Sequence, residues 1–221
     1  MYKGFFKRLI DIVLSTIGII VLIPLWILLA VAIKIDDPGP VLFKQKRICR
    51  DKNGEKQFFM IFKYRSMKMS TPHDTPTHLL DNPEQYITRV GKLLRKASLD
   101  ELPQIFNIWL GQMSIIGPRP ALWNQDDLYA ERAKYQANSV KPGLTGWAQI
   151  NGRDELEIEV KARLDGEYTE KLNSGFFTAL FFDIKCFMLT IFSVLKSDGV
   201  VEGGTGEIHK QTENGENVTE K

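Results

Sequence analysis

From Ile12 to Ile33 the chain carries 22 consecutive residues without a charge, long enough for a helix to cross the hydrocarbon core of a bilayer. Pro24 sits near its middle, where a proline deletes a backbone hydrogen bond and bends a helix. Beyond this run the pattern shortens. Residues 41–47 and 57–65 read as two strands around an Asn53-Gly54 turn, a hairpin whose strands both end in basic residues. Residues 70–84, rich in Pro, Thr, His and Asp, read as a loop, and Gln85 to Ala97 then has helical spacing with Arg89, Lys92 and Lys96 along one side. Leu102, Ile105, Phe106 and Trp109 recur at i, i+3, i+4 and i+7 before Gly111, which predicts a helix over about 101–110. Asp100 is its natural N-cap, with Pro103 in the first turn. Residues 127–138 and 155–171 are charged and helical in pattern, and 176–195 hold six of the 13 Phe with only Asp183 and Lys185 as charges. That composition fits a helix lying in a membrane interface, with a core helix as the alternative. No internal repeat is visible. The expectation is an α+β fold, a membrane-associated domain of helices with a small sheet, anchored by an N-terminal re-entrant helical hairpin. Its parts are a membrane segment over residues 1–36, a folded domain over 37–201 and a flexible acidic tail over 202–221.

Composition narrows the class. A chain of 221 residues, 43% hydrophobic and 25% charged, closes a core, which excludes wholesale disorder. Cys49, Cys186, His73, His78 and His209 supply neither a disulfide framework nor zinc spacing. The net charge of +2 conceals a partition: +5 over residues 1–50, zero over 51–201 and −3 over 202–221. Nothing here resembles the concentrated basic face of a nucleic-acid binder. Basic residues flank the apolar run on both sides, Lys3, Lys7 and Arg8 before it and Lys34, Lys44, Lys46, Arg47 and Arg50 after it. A single span would show an asymmetry. A helix that bends at Pro24 and returns to the leaflet it entered puts both flanks against anionic lipid on the cytoplasmic face, and this reading is preferred. The run is too long for a cleaved signal.

Candidate chemistry concentrates in residues 95–120. The pair Asp100-Glu101 stands at a helix start behind Arg95 and Lys96. Helix N-termini and cations attract phosphate, and the same field keeps Asp100 ionised as a nucleophile. A capping box between Ser98 and Glu101 is the structural alternative, although it moves Pro103 into the second turn. In Gly117-Pro118-Arg119-Pro120 the prolines restrict the arginine backbone, suiting a bidentate phosphate contact or marking a rigid turn. The loop from Lys141 to Arg153 either brings donors, an aromatic face and Arg153 to a nucleotide or connects elements.

These motifs together give a resemblance. Lys7-Arg8-x-x-Asp11, Phe62-Lys63-Tyr64-Arg65-Ser66-Met67, residues 95–104, Gly117-Pro118-Arg119-Pro120 and the 141–153 loop make the sequence, over roughly residues 5–200, similar to the bacterial sugar transferases. These are monotopic polyprenyl-phosphate phosphoglycosyltransferases that begin capsule, exopolysaccharide or glycoprotein glycan synthesis. The resemblance implies a re-entrant membrane helix broken at Pro24 and a domain on the cytoplasmic face of the bacterial inner membrane. It also implies transfer of a sugar-1-phosphate from a UDP-sugar to undecaprenyl phosphate, with UMP released. Asp100 would be the nucleophile, Glu101 the ligand of Mg²⁺, and Lys63, Arg65, Arg95, Arg119 and Arg153 the phosphate or nucleotide contacts. Asp183 would assist as a base or second metal contact. The chain reads as the family's short form, without the long branch's additional spans. It departs from common patterns at Gln112 and Asp154, and the 70–84 insert and residues 121–124 bear on sugar choice. Membrane lipid is an expected partner, nucleic acid is not, and self-association is compatible with the sequence. A non-catalytic membrane scaffold and a direct glycosyltransferase releasing UDP are the competing classes.

Overall fold

The uncharged run forms two helices. In the computed structural model, which describes residues 2–51, 55–71, 83–152 and 156–195, α1 (Lys7–Val21) and α2 (Ile23–Asp36) meet at Leu22 and diverge by 62°. Pro24 lies in the first turn of α2, where its missing N–H costs no hydrogen bond. The break therefore falls just ahead of it. Trp26 Nε1 donates to the Ile19 carbonyl at 3.3 Å, lacing the two arms across the bend. The bent pair taken together, and Phe176–Ser193 by itself, are long and apolar enough to cross a bilayer.

The polarity of α1 is inverted. Lys7, Asp11 and Ser15, spaced i, i+4 and i+8 on one face, are 8%, 3% and 1% exposed, whereas Ile20 and Val21 are 60% and 68% exposed. Polar groups face the protein and aliphatic groups face outward. In α2, Leu29 and Ile33 pack with Tyr64 and Leu94, and Ile27, Leu28 and Ile35 are exposed.

β1 (Leu42–Ile48) and β2 (Phe58–Tyr64) form the expected antiparallel hairpin, with Leu42 opposite Tyr64 and Ile48 opposite Phe58. The Asn53-Gly54 turn, most of the 70–84 loop, Arg153 and the acidic tail lie outside the described residues. A second sheet was not foreseen: β3 (Ser114–Ile116) pairs in parallel with β4 (Gly143–Thr145). Three residues are too few to show periodicity. A Cβ on Gly146 would lie 2.0 Å from the Gly117 carbonyl oxygen, so this close backbone contact requires glycine.

The helix expected over 85–97 is shorter. Pro83–Tyr86 makes a separate 3₁₀ turn, Ile87 bridges Met67, and α3 spans Arg89–Lys96. Thr88 caps it by accepting from the Gly91 amide at 2.9 Å. α4 (Gln104–Trp109), α5 (Asp126–Lys134), α6 (Trp147–Ile150), α7 (Ile158–Asn173) and α8 (Phe176–Leu195) complete the order. α8 buries Ala179, Asp183 and Cys186 and exposes Phe177, Phe181, Ile184, Met188 and Ile191. The N-terminal turn, α7 and α8 meet around Tyr2, Tyr168, Leu172 and Cys186.

Candidate active site

Asp100 and Glu101 lie in a 3₁₀ turn, Leu99–Glu101, between α3 and α4. This corrects the expected helix over 101–110. Asp100 does not cap it, because α4 begins at Gln104 with Pro103 in the flanking position. Ser98 caps nothing with its side chain and adopts φ 54°, ψ 21°, so the Ser98–Glu101 capping box does not form. A left-handed non-glycine residue is strained, and here it reverses the chain so that Asp100 turns inward and is 3% exposed.

Two cations converge on the pair. Lys63 Nζ donates to Glu101 Oε1 at 2.8 Å and lies 4.0 Å from Asp100 Oδ2. Arg119 grips the same carboxylate, Nη2 to Oε1 at 2.9 Å and Nη1 to Oε2 at 3.3 Å. Burial alone would raise the Glu101 carboxyl, but Arg119 and then Lys63 outweigh it and hold the group far below the usual carboxylate range. Glu101 therefore remains an anion at neutral pH and is unsuited to proton transfer there.

The cations are themselves positioned. Asn107, fully buried on α4, accepts from the Phe62 amide at 2.9 Å and donates to the Met60 carbonyl at 2.8 Å, which registers β2 and hence Lys63 against the turn. Arg132 forms a buried ion pair with Asp165 at 2.6 Å and donates to the Arg119 carbonyl at 3.0 Å. Neither support was read from the sequence. A lone Asn on the inward face between Phe106 and Ile108 is the signal for the first. The second joins residues 33 apart in the chain and leaves no local trace.

Of the other expected site residues, Arg65 and Asp183 are engaged elsewhere. Arg65 is buried and donates to both a carboxylate oxygen and the backbone carbonyl of Asp37, which secures the end of α2. Arg95 Nε donates to Ser66 Oγ at 2.9 Å. Arg153 lies outside the described residues. Asp183 accepts from Lys7 Nζ and Tyr2 Oη, each at 2.7 Å, and from Tyr168 Oη at 2.9 Å, and none of these partners belongs to the dyad. Burial, reinforced by Asp183, pushes the Tyr168 hydroxyl well above its usual value, so it stays a donor. The basic flank is likewise revised. Lys7 is spent on Asp183, and Arg8 donates to the Ile108 and Trp109 carbonyls at 2.6 and 2.7 Å, so neither side chain is available to anionic lipid. Asp11 accepts from Ser114 and from the Ile115 amide at 3.1 and 3.0 Å. The i, i+4 spacing of Lys7 and Asp11 beside an apolar run was the available signal.

Among the described residues no group of three or more His, Cys, Asp or Glu side chains gathers to hold a metal. Magnesium does not require one, since it takes one or two carboxylates and fills its octahedron with phosphate oxygens and water. Glu101 accepts three hydrogen bonds of the four a carboxylate can take, leaving one lone-pair direction on Oε2. The residues present fit such an ion.

A buried acidic pair balanced by a lysine and a guanidinium thus sits beside a helical hairpin whose first arm turns its polar side chains inward. The chain belongs to the bacterial sugar transferase family, which matches residues 2–197. It is 39% identical over 196 residues to the UDP-glucose:undecaprenyl-phosphate glucose-1-phosphate transferase of Xanthomonas campestris pv. campestris, covering 86% of this chain and 38% of that one. The uncharacterized sugar transferase EpsL of Bacillus subtilis is 37% identical, with 88% and 89% covered. A UDP-N-acetylgalactosamine-undecaprenyl-phosphate N-acetylgalactosaminephosphotransferase of Aeromonas hydrophila is 34% identical, with 89% and 45% covered. The chain thus spans about two fifths of the length of the first of these relatives.

Proposed function

We propose that this protein is a polyprenyl-phosphate phosphoglycosyltransferase that moves a sugar-1-phosphate from a UDP-sugar to undecaprenyl phosphate. The observation that carries the reading is the Asp100-Glu101 turn, buried and held by Lys63 and Arg119. The activities in the relatives' names support the same substrate class. In this reading Asp100 is the nucleophile, a role carboxylates take in covalent catalysis. Asp100 Oδ attacks the β-phosphorus of the donor, the bond from that phosphorus to the bridging oxygen breaks, and UMP leaves with the electron pair. The phosphate oxygen of the lipid then attacks the same phosphorus, and the Asp100 carboxylate departs restored. Lys63 and Arg119 supply positive charge where the transferred group passes, the main requirement of phosphoryl transfer. Glu101 would hold Mg²⁺, which screens the diphosphate charge when bound. Glu101 also fixes both cations, so its position governs theirs. Arg95 and Arg153 are the further nucleotide or phosphate contacts in this reading.

The same surface chemistry supports membrane placement in this reading. A helix that turns lysine and aspartate inward and isoleucine outward is stable where the surroundings are apolar. The reading is a hairpin that enters and leaves one leaflet, with α8 lying in the interface by its Phe177–Phe181–Ile184–Met188 face. The domain then rests on the cytoplasmic side of a bacterial inner membrane, where a membrane-bound acceptor and a soluble donor meet.

The test is a panel of UDP-sugars, beginning with the glucose and N-acetylgalactosamine donors, supplied with undecaprenyl phosphate and Mg²⁺. UMP release dependent on the lipid supports the reaction and identifies the sugar. UDP release would instead make it a direct glycosyltransferase, and silence with every donor would favour a scaffold. Asp100→Asn is expected to abolish turnover while membrane association persists, and retained turnover would falsify the nucleophile assignment.

A further inference from the structure

The two arms of the hairpin bond to the two helices on either side of the dyad turn. On the first arm, Arg8 donates to the Ile108 and Trp109 carbonyls at 2.6 and 2.7 Å, capping the C-terminal end of α4, where a cation is favoured. On the second, Asp36 Oδ2 accepts from the Val90 amide at 2.7 Å, at the N-terminal end of α3, where an anion is favoured. Between these caps α4 lies in the crook of the bend. A Cβ on Gly18 would come within 2.5 Å of Ile105 Cδ1, and the Trp26 and Phe106 rings are 5.3 Å apart. Only residues 97–103 connect α3 to α4, and they include strained Ser98 and both carboxylates. A change in the angle between the arms therefore bears on that connection from both sides.

We infer that Arg8 and Asp36 are positioning residues which set the Asp100-Glu101 turn from the geometry of the hairpin, so that the thickness of the surrounding bilayer tunes turnover. The inference rests on the membrane reading above. A misplacement of about 1 Å at a reacting group costs on the order of a hundred-fold in rate, so small arm movements are enough. Neither residue touches the reacting atoms. Their effect is expected in kcat, with the donor KM little changed.

The experiment uses the full chain in phosphatidylcholine nanodiscs of increasing acyl-chain length, read by amide hydrogen exchange at residues 98–104 and by UMP release with the donor identified in the panel. In the native protein, exchange across the turn and kcat are expected to vary together with chain length. Arg8→Ala and Asp36→Ala should speed exchange at the turn by about ten-fold or more, lower kcat and flatten its dependence on thickness. Arg8→Lys and Asp36→Asn, which keep a donor and an acceptor, should recover much of both. Exchange across the turn indifferent to thickness, or unchanged in both alanine variants while α1 and α2 loosen, would overturn the inference even if every donor is inert. Opposite-side accessibility of the two flanks would overturn the re-entrant reading separately.

Discussion

Lys7 and Asp183 offer the sharpest test of how the hairpin is joined to the domain. Their charged atoms are 2.7 Å apart, with side chains 11% and 9% exposed, and Asp183 also accepts from Tyr2 and Tyr168. Removing one member of a buried pair leaves an uncompensated charge and costs about 3–5 kcal/mol. Lys7→Met should therefore cost about 3 kcal/mol, toward the lower end because two tyrosine donors still solvate the carboxylate. Asp183→Asn should cost a similar amount, since Lys7 keeps an acceptor and loses its counter-charge. The double variant removes both charges and leaves the Asn oxygen to the tyrosines. Its expected cost is about 3 kcal/mol, not the sum, a coupling of about 3 kcal/mol. At about 2–4 °C per kcal/mol for a chain of this size, each variant lowers Tm by roughly 6–12 °C, followed by near-ultraviolet circular dichroism in detergent micelles. Additive effects, within about 0.5 kcal/mol, would refute the pairing. Turnover of the folded Asp183→Asn protein separates a clamp from a catalytic base: it should persist where Asp100→Asn abolishes it.

Glu101→Gln is expected to destabilise the protein by about 2–3 kcal/mol at pH 7, the worth of hydrogen bonds to charged partners. Because Arg119 and Lys63 depress the folded value, that advantage is full above the unfolded carboxyl value near 4.3 and is lost as pH falls below it. Unfolding curves of the two proteins should converge in acid, and a gap that widens there would contradict the ion-pair account. Single cysteines replacing Lys3 and Lys44, both exposed, in a background lacking Cys49 and Cys186 should label from the same side of intact cells; opposite-side labelling would remove the hairpin from consideration. Replacing Phe177 and Phe181, 69% and 65% exposed, by Asp should leave Tm unchanged and weaken retention on vesicles. A large fall in Tm would mean that the face packs on protein instead.

Periodicity and turn chemistry made the apolar hairpin, the β1–β2 pair and the Phe-rich helix legible, because each is an unbroken stretch long enough to repeat. The dyad was legible as a pair of adjacent carboxylates among cations. Its local geometry was misread because propensity favours Asp100 as a cap, whereas Leu99–Glu101 is fixed by the left-handed turn at Ser98. The partners of the pair were legible only as a pool of basic residues. Selecting Lys63 and Arg119 over Arg65 depends on contacts between residues 18 to 38 apart, Arg119 and Lys63 with Glu101 and Arg65 with Asp37. Lys7, Arg8 and Asp11 were counted as flank charge, since a tally by sequence block cannot distinguish a side chain facing lipid from one facing protein.

The inward polar stripe of α1 bears on how the molecule is made. Removing the first eleven residues would take the Lys7 and Tyr2 donors from Asp183, leaving it Tyr168, and would take the Asp11 acceptor from the Ile115 amide, while the chain without lipid would show the aliphatic side of α1 to water. On the proposed membrane reading, docking of α1 on the domain and its entry into lipid are coupled, because one helix carries both the inward polar stripe and the outward aliphatic one.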